Sequence, residues 1–371
     1  MNSSPITEPA PVSVLAQWIE LHCGETLSRA CGGTRVGVVA ENLAGRWSET
    51  HRRWHGPEHL RTLVGVFENQ PRGDSRDALL LAALFHDAVY DPTRADNEEA
   101  SAALLQQTAA QDPALLALAH EIVVASKWQE TPSAPLAREF FVHDTWQLSP
   151  GVPLNERFLY ERAIFWEYQF APWPEYRAKR EAFLNQWKGR FPEHAAGVEQ
   201  SLELLRAFEP RIGVYPGSFN PFHRGHLSIL RQAEEVFDKV IVALGINRQK
   251  VGPEVSSEQS AQRASRLKKQ LRFHQVTQFE GLLPVYLGTL GHPVTLVRGV
   301  RDGTDLEAEL RFTRFLNDLR PATRIVWLGC EAGLEHVSSS AVRELEQLQP
   351  GAGARYVPDA ATIYRAGFLL E

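Results

Sequence analysis

Two imidazoles three residues apart, His223 and His226, stand in the stretch RIGVYPGSFNPFHRGH over residues 211–226. At that spacing they share one side of a helix entrance, where they can donate to oxygens that gain charge during a reaction. In-line phosphoryl or nucleotidyl transfer asks little more of a protein than positioning and such donors. A second set of chemically able residues lies upstream. His86-Asp87 ends the apolar run ALLLAALF, with His59 before it and His143-Asp144 after it. An ionised carboxylate beside an imidazole in so apolar a setting is costly unless it is paired or bound to a cation.

The elements that must position the downstream pair form a βαβ unit. Ile212–Tyr215 reads as a short buried strand, and Pro216-Gly217 as the tight turn that breaks it. Ser218, Asn220 and Pro221 form a loop, and Gly225-His226 opens a helix whose apolar face is Leu227, Ile229, Leu230, Ala233, Val236 and Phe237. A strand follows over Lys239–Leu244. The free N–H groups and dipole of the helix N-terminus favour an anion such as phosphate. The loop fits neither G-x-x-x-x-G-K-[ST] nor G-x-G-x-x-G, which sets aside the P-loop and the dinucleotide fingerprint.

Further on, Lys250 follows the strand in GINRQK and, on residue type alone, serves equally as a solvated loop lysine or a phosphate contact at the sheet edge. Val294–Val297 is a β-branched strand, with Arg298 and Arg301 just past its end, where guanidinium forks can grip phosphate in two-pronged fashion. Thr304–Glu307 reads as a capping box, and RASRLKKQLR over 263–272 as a solvated helical face. After a strand at Ile325–Leu328, Ser338, Ser339 and Ser340 stand at a helix start, as plain caps or as phosphate contacts.

Upstream of residue 210 the patterns are helical throughout. A weakly periodic run covers Val14–Leu27. Pro57 suits a helix start, after which Leu60, Leu63, Val64 and Phe67 share a face and put His59 at a buried entrance. A helix over Asp77–Val89 is apolar on every side and belongs in the centre of a domain. His120 reads as a core or boundary histidine. The aromatic run from Phe158 to Trp187 reads as packing between helices, given its spacing and acidic neighbours Glu161, Glu167 and Glu175, and a base-stacking surface is set aside. A helix at Ala195–Phe208 closes this half.

Residues 211–350 resemble the nucleotidyltransferase superfamily that carries H-x-G-H behind P-G-S-F-N-P, and within it the phosphopantetheine adenylyltransferases. The tract QFEGLLPVYLGTLGHPVTLVRGVR favours that branch over the nicotinamide-nucleotide one, and V-S-S-S is similar to the family's tract at the ATP phosphates. The resemblance implies that His223 and His226 contact the nucleotide α-phosphate, that Ser218 orients nucleophile or ATP, and that Lys250 and Arg298 hold the acceptor phosphate. It places Gly217, Phe219, Gly299, Arg301, Glu309 and Ser338 to Ser340 around Mg-ATP.

Residues 43–208 resemble a family of predicted HD-domain metal phosphohydrolases through ETHRRWHGPEH, ALFHDAVYDP, NEEASA and IFWEYQFAPWPEY. That resemblance implies His59, His86, Asp87 and Asp144 as ligands of a divalent transition metal (Mn, Fe, Co, Ni or Zn), with His55, Arg52, Asn97 and Glu98 in substrate or supporting contacts. Imidazoles and carboxylates suit an ion that polarises a phosphate and acidifies bound water. Two departures from the family pattern, Trp146 after the last aspartate and Lys127-Trp128-Gln129 in place of Lys-x-His, favour one ion over two.

The expected architecture is therefore two domains. Residues 1–209 form an all-α HD domain, and residues 210–371 an α/β Rossmann-like nucleotidyltransferase with a parallel sheet. The expected protein is a bifunctional enzyme that adenylylates 4′-phosphopantetheine and hydrolyses a phosphate monoester or nucleotide. The alternatives are another phosphorylated acceptor, and a helical half that binds a nucleotide as a regulatory module. With 371 residues, 43% hydrophobic and 23% charged, the chain is long enough for two cores and ordinary in composition. A net charge of -6 argues against a general nucleic-acid binder. The absence of a long apolar run or signal-peptide pattern leads to the expectation of a cytoplasmic protein without a membrane partner. Cys23, Cys31 and Cys330 lack C-x-x-C spacing and read as buried small apolar groups. The transferase resemblance also allows a homo-oligomer.

Overall fold

The computed structural model of the chain describes residues 12–246 and 253–365. They divide into two compact units, one of residues 12–167, 174–207 and 364–365, the other the described part of 168–173 and 208–363.

The first unit is helical: α1 (Val12–Cys31), α2 (Val36–Trp47), α3 (Pro57–Phe67), α4 (Asp74–Phe85), α5 (Asn97–Thr108), α6 (Pro113–Ala125), α7 (Pro135–Asp144), α8 (Leu154–Glu167), α9 (Trp173–Arg190) and α10 (Ala195–Ala207). Helix α4 is its centre. Every residue from Ala78 to Phe85 is buried, because α1, α3, α5, α6 and α7 surround it. It ends at Phe85 rather than Val89, with His86 as its C-cap, so Asp87 lies on the connection that follows. The aromatic run packs between helices, and two of its acids are buried with it: Glu161 in a two-pronged pair with Arg180, and Glu167.

The second unit holds β1 (Ile212–Gly217), α11 (Arg224–Val236), β2 (Lys239–Ile246), α12 (Pro253–Gln270), β3 (Gln275–Glu280), α13 (Leu283–Thr289), β4 (Thr295–Val300), α14 (Gly303–Leu319), β5 (Arg324–Gly329), α15 (Ser339–Leu348) and α16 (Ala360–Ile363). The strands make one parallel sheet in the order β3-β2-β1-β4-β5. Helical and α/β halves follow the expectation. Chain order reverses between β1 and β4, and open α/β sheets bind ligands at such a switch point, beyond the strands' C-terminal ends. The ladders show why a crevice opens there. β1 keeps register with β2 from Ile212↔Lys239 to Gly217↔Leu244, but with β4 only at Gly213↔Thr295 and Val214↔Leu296.

Several boundaries differ from the sequence reading. Pro216 and Gly217 remain in β1, because parallel pairing to β2 carries the strand past the proline. Helix α11 starts at Arg224 with His223 as N-cap. Arg298 lies within β4, and only Arg301 is beyond it. The cap of α14 is Asp302, whose side chain accepts from the Asp305 N–H, rather than the box at Thr304–Glu307. Segment 168–173 belongs to this unit for a specific reason: Gln169 donates to the Asp238 carbonyl and accepts from Val240 N–H, while the buried Lys239 ammonium donates to the Gln169 carbonyl.

Candidate functional sites

In the second unit a cleft of about 330 Å³ opens at the C-terminal ends of β1 and β4. It is lined by Gly217, Ser218, Phe219, His223, His226, Arg298, Gly299, Arg301, Glu309, Ser338 and Ser339, from five separate stretches of chain. The imidazoles of His223 and His226 stack with ring centroids 3.6 Å apart. The His223 backbone N–H donates to Nδ1 of His226 at 3.3 Å, which leaves the proton of neutral His226 on Nε2. Burial, together with the Arg301 guanidinium, brings His223 down to about 4. Burial, then His223 and Arg301, hold His226 well below the ordinary imidazole value. Both rings are therefore neutral at pH 7, and His223 Nδ1 is buried without a hydrogen-bond partner.

The glycines let these groups approach. A Cβ on Gly217 would stand 2.8 Å from the Phe219 ring, and one on Gly299 would stand 2.9 Å from Ile229 of α11. Phe219, at φ 41°, takes a left-handed backbone that turns its ring edge-on to His226, centroids 5.0 Å apart. Ser338 caps α15 by accepting from Ala341 N–H at 3.1 Å, and Ser339 donates to the Pro221 carbonyl at 3.0 Å, tying α15 to the histidine loop. Ser340 is exposed and outside the cleft lining, one residue too far round the helix. Lys250 lies outside the described residues.

Both arginines already have anionic partners. Arg298 makes a two-pronged pair with Glu309, Nε to Oε2 at 2.7 Å, and Arg301 pairs with Asp305 at 2.7 and 3.1 Å. Asp305 escaped the sequence reading, although its place four residues after Arg301 at a helix start was the available signal. Cys330 is half-buried and lines the cleft, where a wholly buried thiol was expected. Beside the cleft a pocket of about 400 Å³ shares Pro216, Gly217 and Arg298, and is walled by Phe279, Leu283, Phe312, Phe315 and Leu319.

In the first unit the four residues read as ligands converge. His59 Nε2 lies 3.2 Å from His86 Nε2 and 3.1 Å from Asp144 Oδ1, and His86 Nε2 lies 3.4 Å from Asp144 Oδ1 and 3.2 Å from Asp87 Oδ2. Nδ1 of His86 is 3.2 Å from the Ala82 and Ala83 carbonyl oxygens, so it donates there and turns the Nε2 lone pair inward. A single proton among these atoms can bridge only two of them, whereas a divalent cation can engage the ligand atoms of His59, His86 and Asp87 together, with Asp144 beside both imidazoles, so the donor set fits such an ion. Despite burial, His86 and His55 hold Asp87 well below the usual carboxylate range, and His59 and His86 do the same for Asp144.

The supporting residues sort by what they touch. Arg52 donates to the Asp87 carbonyl at 2.6 Å and the Ala88 carbonyl at 3.3 Å, fixing the connection that bears Asp87. Asn97 clamps Asp91 through both its backbone groups. Burial, then the nearby Asp87 charge, raises Glu98. His55 donates from Nδ1 to Glu167 at 2.6 Å. Trp128, which the sequence marks only as a departure, donates its indole N–H to Asp144 Oδ2 at 2.7 Å. Glu167 and Trp128 were missed because neither lies near a ligand in sequence.

Comparison with known proteins bears on the second unit. A cytidylyltransferase-like family model matches residues 214–345. The phosphopantetheine adenylyltransferase of Carboxydothermus hydrogenoformans is 36% identical over 138 residues, 36% of this chain and 82% of that protein. That of Desulforamulus reducens is 34% identical over 149 residues, 40% and 91% of the two chains. That of Rhodopseudomonas palustris is 28% identical over 163 residues, 43% and 98%. Among the described residues no helix is long and apolar enough to cross a membrane.

Proposed function

The chain belongs, through its C-terminal half, to the phosphopantetheine adenylyltransferase family, and from that premise we propose that it transfers the adenylyl group of Mg-ATP to 4′-phosphopantetheine. An acceptor phosphate oxygen attacks the α-phosphorus, the bond to the bridging oxygen breaks, and pyrophosphate leaves with dephospho-CoA as the other product. The observation that carries this reading is the meeting of neutral His223 and His226 with Arg298, Arg301 and the α15 N-terminus in one cleft at the switch point.

His226, with its proton on Nε2, donates to an α-phosphate oxygen as charge builds there, and His223 beside it does likewise. Arg301 and the Ser338–Ser339 helix start hold the triphosphate. Arg298 and Lys250 hold the acceptor phosphate, Ser218 orients it, and the adjoining apolar pocket takes the acceptor's uncharged arm. Pyrophosphate release, measured with ATP or CTP against a panel of phosphorylated acceptors, tests this. ATP with 4′-phosphopantetheine should be fastest, and His226→Ala should abolish the difference. A faster nicotinate or sugar-phosphate acceptor in the unmodified protein overturns the substrate assignment.

For the helical unit we propose a divalent transition metal at His59, His86, Asp87 and Asp144, and hydrolysis of a phosphate monoester or nucleotide. The support is the grouping of ligand atoms from His59, His86 and Asp87, with Asp144 Oδ1 at 3.1 and 3.4 Å from the two imidazoles and His86 turned by its carbonyl contacts. Such an ion would polarise the phosphoryl group and acidify water. The chain's own part is to aim the lone pairs and hold the carboxylates ionised. Metal analysis of the purified protein, followed by phosphate release from a nucleotide panel, decides. A loaded but inactive protein that binds a nucleotide points to the regulatory alternative, and a protein that takes up no metal overturns both.

A further inference from the structure

The acids that back the two cleft arginines come from one face of one helix. Asp305 and Glu309 stand four residues apart on α14, which puts them one turn from each other. They take Arg301, just past β4, and Arg298, within it. The proposed transfer uses both arginines and Glu309 but leaves Asp305 without a part.

Asp305 accepts from Arg301 three times. Its Oδ2 takes Nε at 2.7 Å and the backbone N–H at 3.2 Å, and its Oδ1 takes Nη2 at 3.1 Å. An acid in the first turn of a helix is ordinary, since it complements the dipole. That role does not call for Arg301, and the cap of α14 is already Asp302. Stability does not explain the pair either: the two side chains are 41% and 29% exposed, where an ion pair four residues apart on the chain adds little. What the contact does give is a fixed direction. Two of the five guanidinium N–H donors are spent on Asp305, and Nη1 bonds to no described residue. The Nη1–Nη2 end is therefore left as a second fork, on a residue that lines the cleft together with its acid. Glu309 leaves Arg298 in the same state, with Nε and Nη2 taken.

We propose that Asp305 is a positioning residue for nucleotide binding: it holds Arg301 with the outer fork presented to the triphosphate before the nucleotide arrives. This deepens the transferase reading above and rests on it. A long side chain that becomes ordered only on binding loses its rotamer freedom at that moment, whereas one ordered beforehand has already lost it on folding. The phosphate can then form a two-pronged, charge-assisted contact without displacing the carboxylate behind it.

The test is a double-mutant cycle, read by calorimetric titration of Mg-ATP into the full-length protein in about 0.5 M KCl, where the change of net charge is screened. Asp305→Asn should weaken Mg-ATP about fivefold in the otherwise unmodified protein. In Arg301→Gln, with no guanidinium left to aim, the same change should matter by less than about twofold. Pyrophosphate release under these conditions should show the ATP KM raised by a similar factor and the 4′-phosphopantetheine KM within about twofold. Asp305→Ala repeats the cycle if the asparagine variant does not fold. Equal weakening in both backgrounds, or none in either, overturns the positioning role, as does a rise in the acceptor KM alone. An unmodified protein that binds Mg-ATP yet releases pyrophosphate with no acceptor sinks the transferase reading, while the cycle still decides Asp305. One that does not bind Mg-ATP sinks both.

Discussion

The indole N–H of Trp128 donates to Oδ2 of Asp144 at 2.7 Å, while Oδ1 of the same carboxylate faces His59 and His86 at 3.1 and 3.4 Å. One oxygen is thus anchored so that the other can be aimed. Contacts of this kind around a metal ligand are worth roughly 10-fold to 100-fold in affinity. Trp128→Phe keeps the ring packing against Phe141 and removes only the donor. It should weaken divalent-metal binding about tenfold with little change in Tm, as read by competition with a chelating indicator.

Legibility in the sequence follows the range over which each signal acts. The buried α4, the βαβ unit and the histidine loop are local patterns of apolar spacing, glycine and proline, and they appear in the expected order with ends shifted by a few residues. The four-residue cluster was legible as a ligand set only through resemblance, since no periodicity links Asp144 to His59 across 85 residues, a separation that α3 and α7 close in space. Trp128 and Glu167 act through contacts 16 and 112 residues away in sequence. Glu167 in particular looks like an ordinary surface acid until backbone donors from a distant loop surround it. The cap of α14 failed for a smaller reason: Thr304 and Asp302 both fit a helix start, and Asp302 reaches the Asp305 N–H.

His226→Ala should cut transferase kcat/KM by about 100-fold or more, the range seen when one donor to a developing oxyanion is removed. The ring packs on Phe219, Phe222 and His223 at the first turn of α11, so the stability cost should stay near about 1 kcal/mol. A matched loss of Tm and turnover would mean that the imidazole is structural.

The two-pronged Arg298–Glu309 pair bears on which substrate Glu309 serves. If it orients Arg298 for the acceptor phosphate, Glu309→Gln should raise the acceptor KM about tenfold and leave that of ATP nearly unchanged. A rise confined to ATP would instead place Glu309 on the nucleotide. Steady-state kinetics with each substrate varied in turn separates the two.

Lys239 is fully buried at the start of β2, and burial lowers its ammonium to about 7. In the unfolded chain the same group titrates near its ordinary value of 10.5. Between those values the unfolded state binds more protons, so stability rises with pH, by at most about 1.4 kcal/mol per unit. Chemical denaturation from pH 7 to pH 10 should show this slope in the unmodified protein and a flatter one in Lys239→Met. A fragment of residues 210–371, which lacks the Gln169 carbonyl, should be less stable than one that begins before Tyr168.

The neutral histidines make a further prediction about protons. His223 titrates at about 4 in the free protein, lowered by burial and by Arg301, and His226 is held low by burial, His223 and Arg301. A triphosphate in the cleft would bring negative charge to both rings and engage Arg301, and each change raises an imidazole toward and past its ordinary value. Binding at pH 6 should therefore take up protons, while at pH 8, with both states neutral, it should take up almost none. Calorimetric titration of Mg-ATP in two buffers of different ionisation enthalpy reads the uptake directly. His223→Gln and His226→Gln should each remove part of it, and proton release on binding at pH 6 would mean that the nucleotide phosphates sit away from this pair.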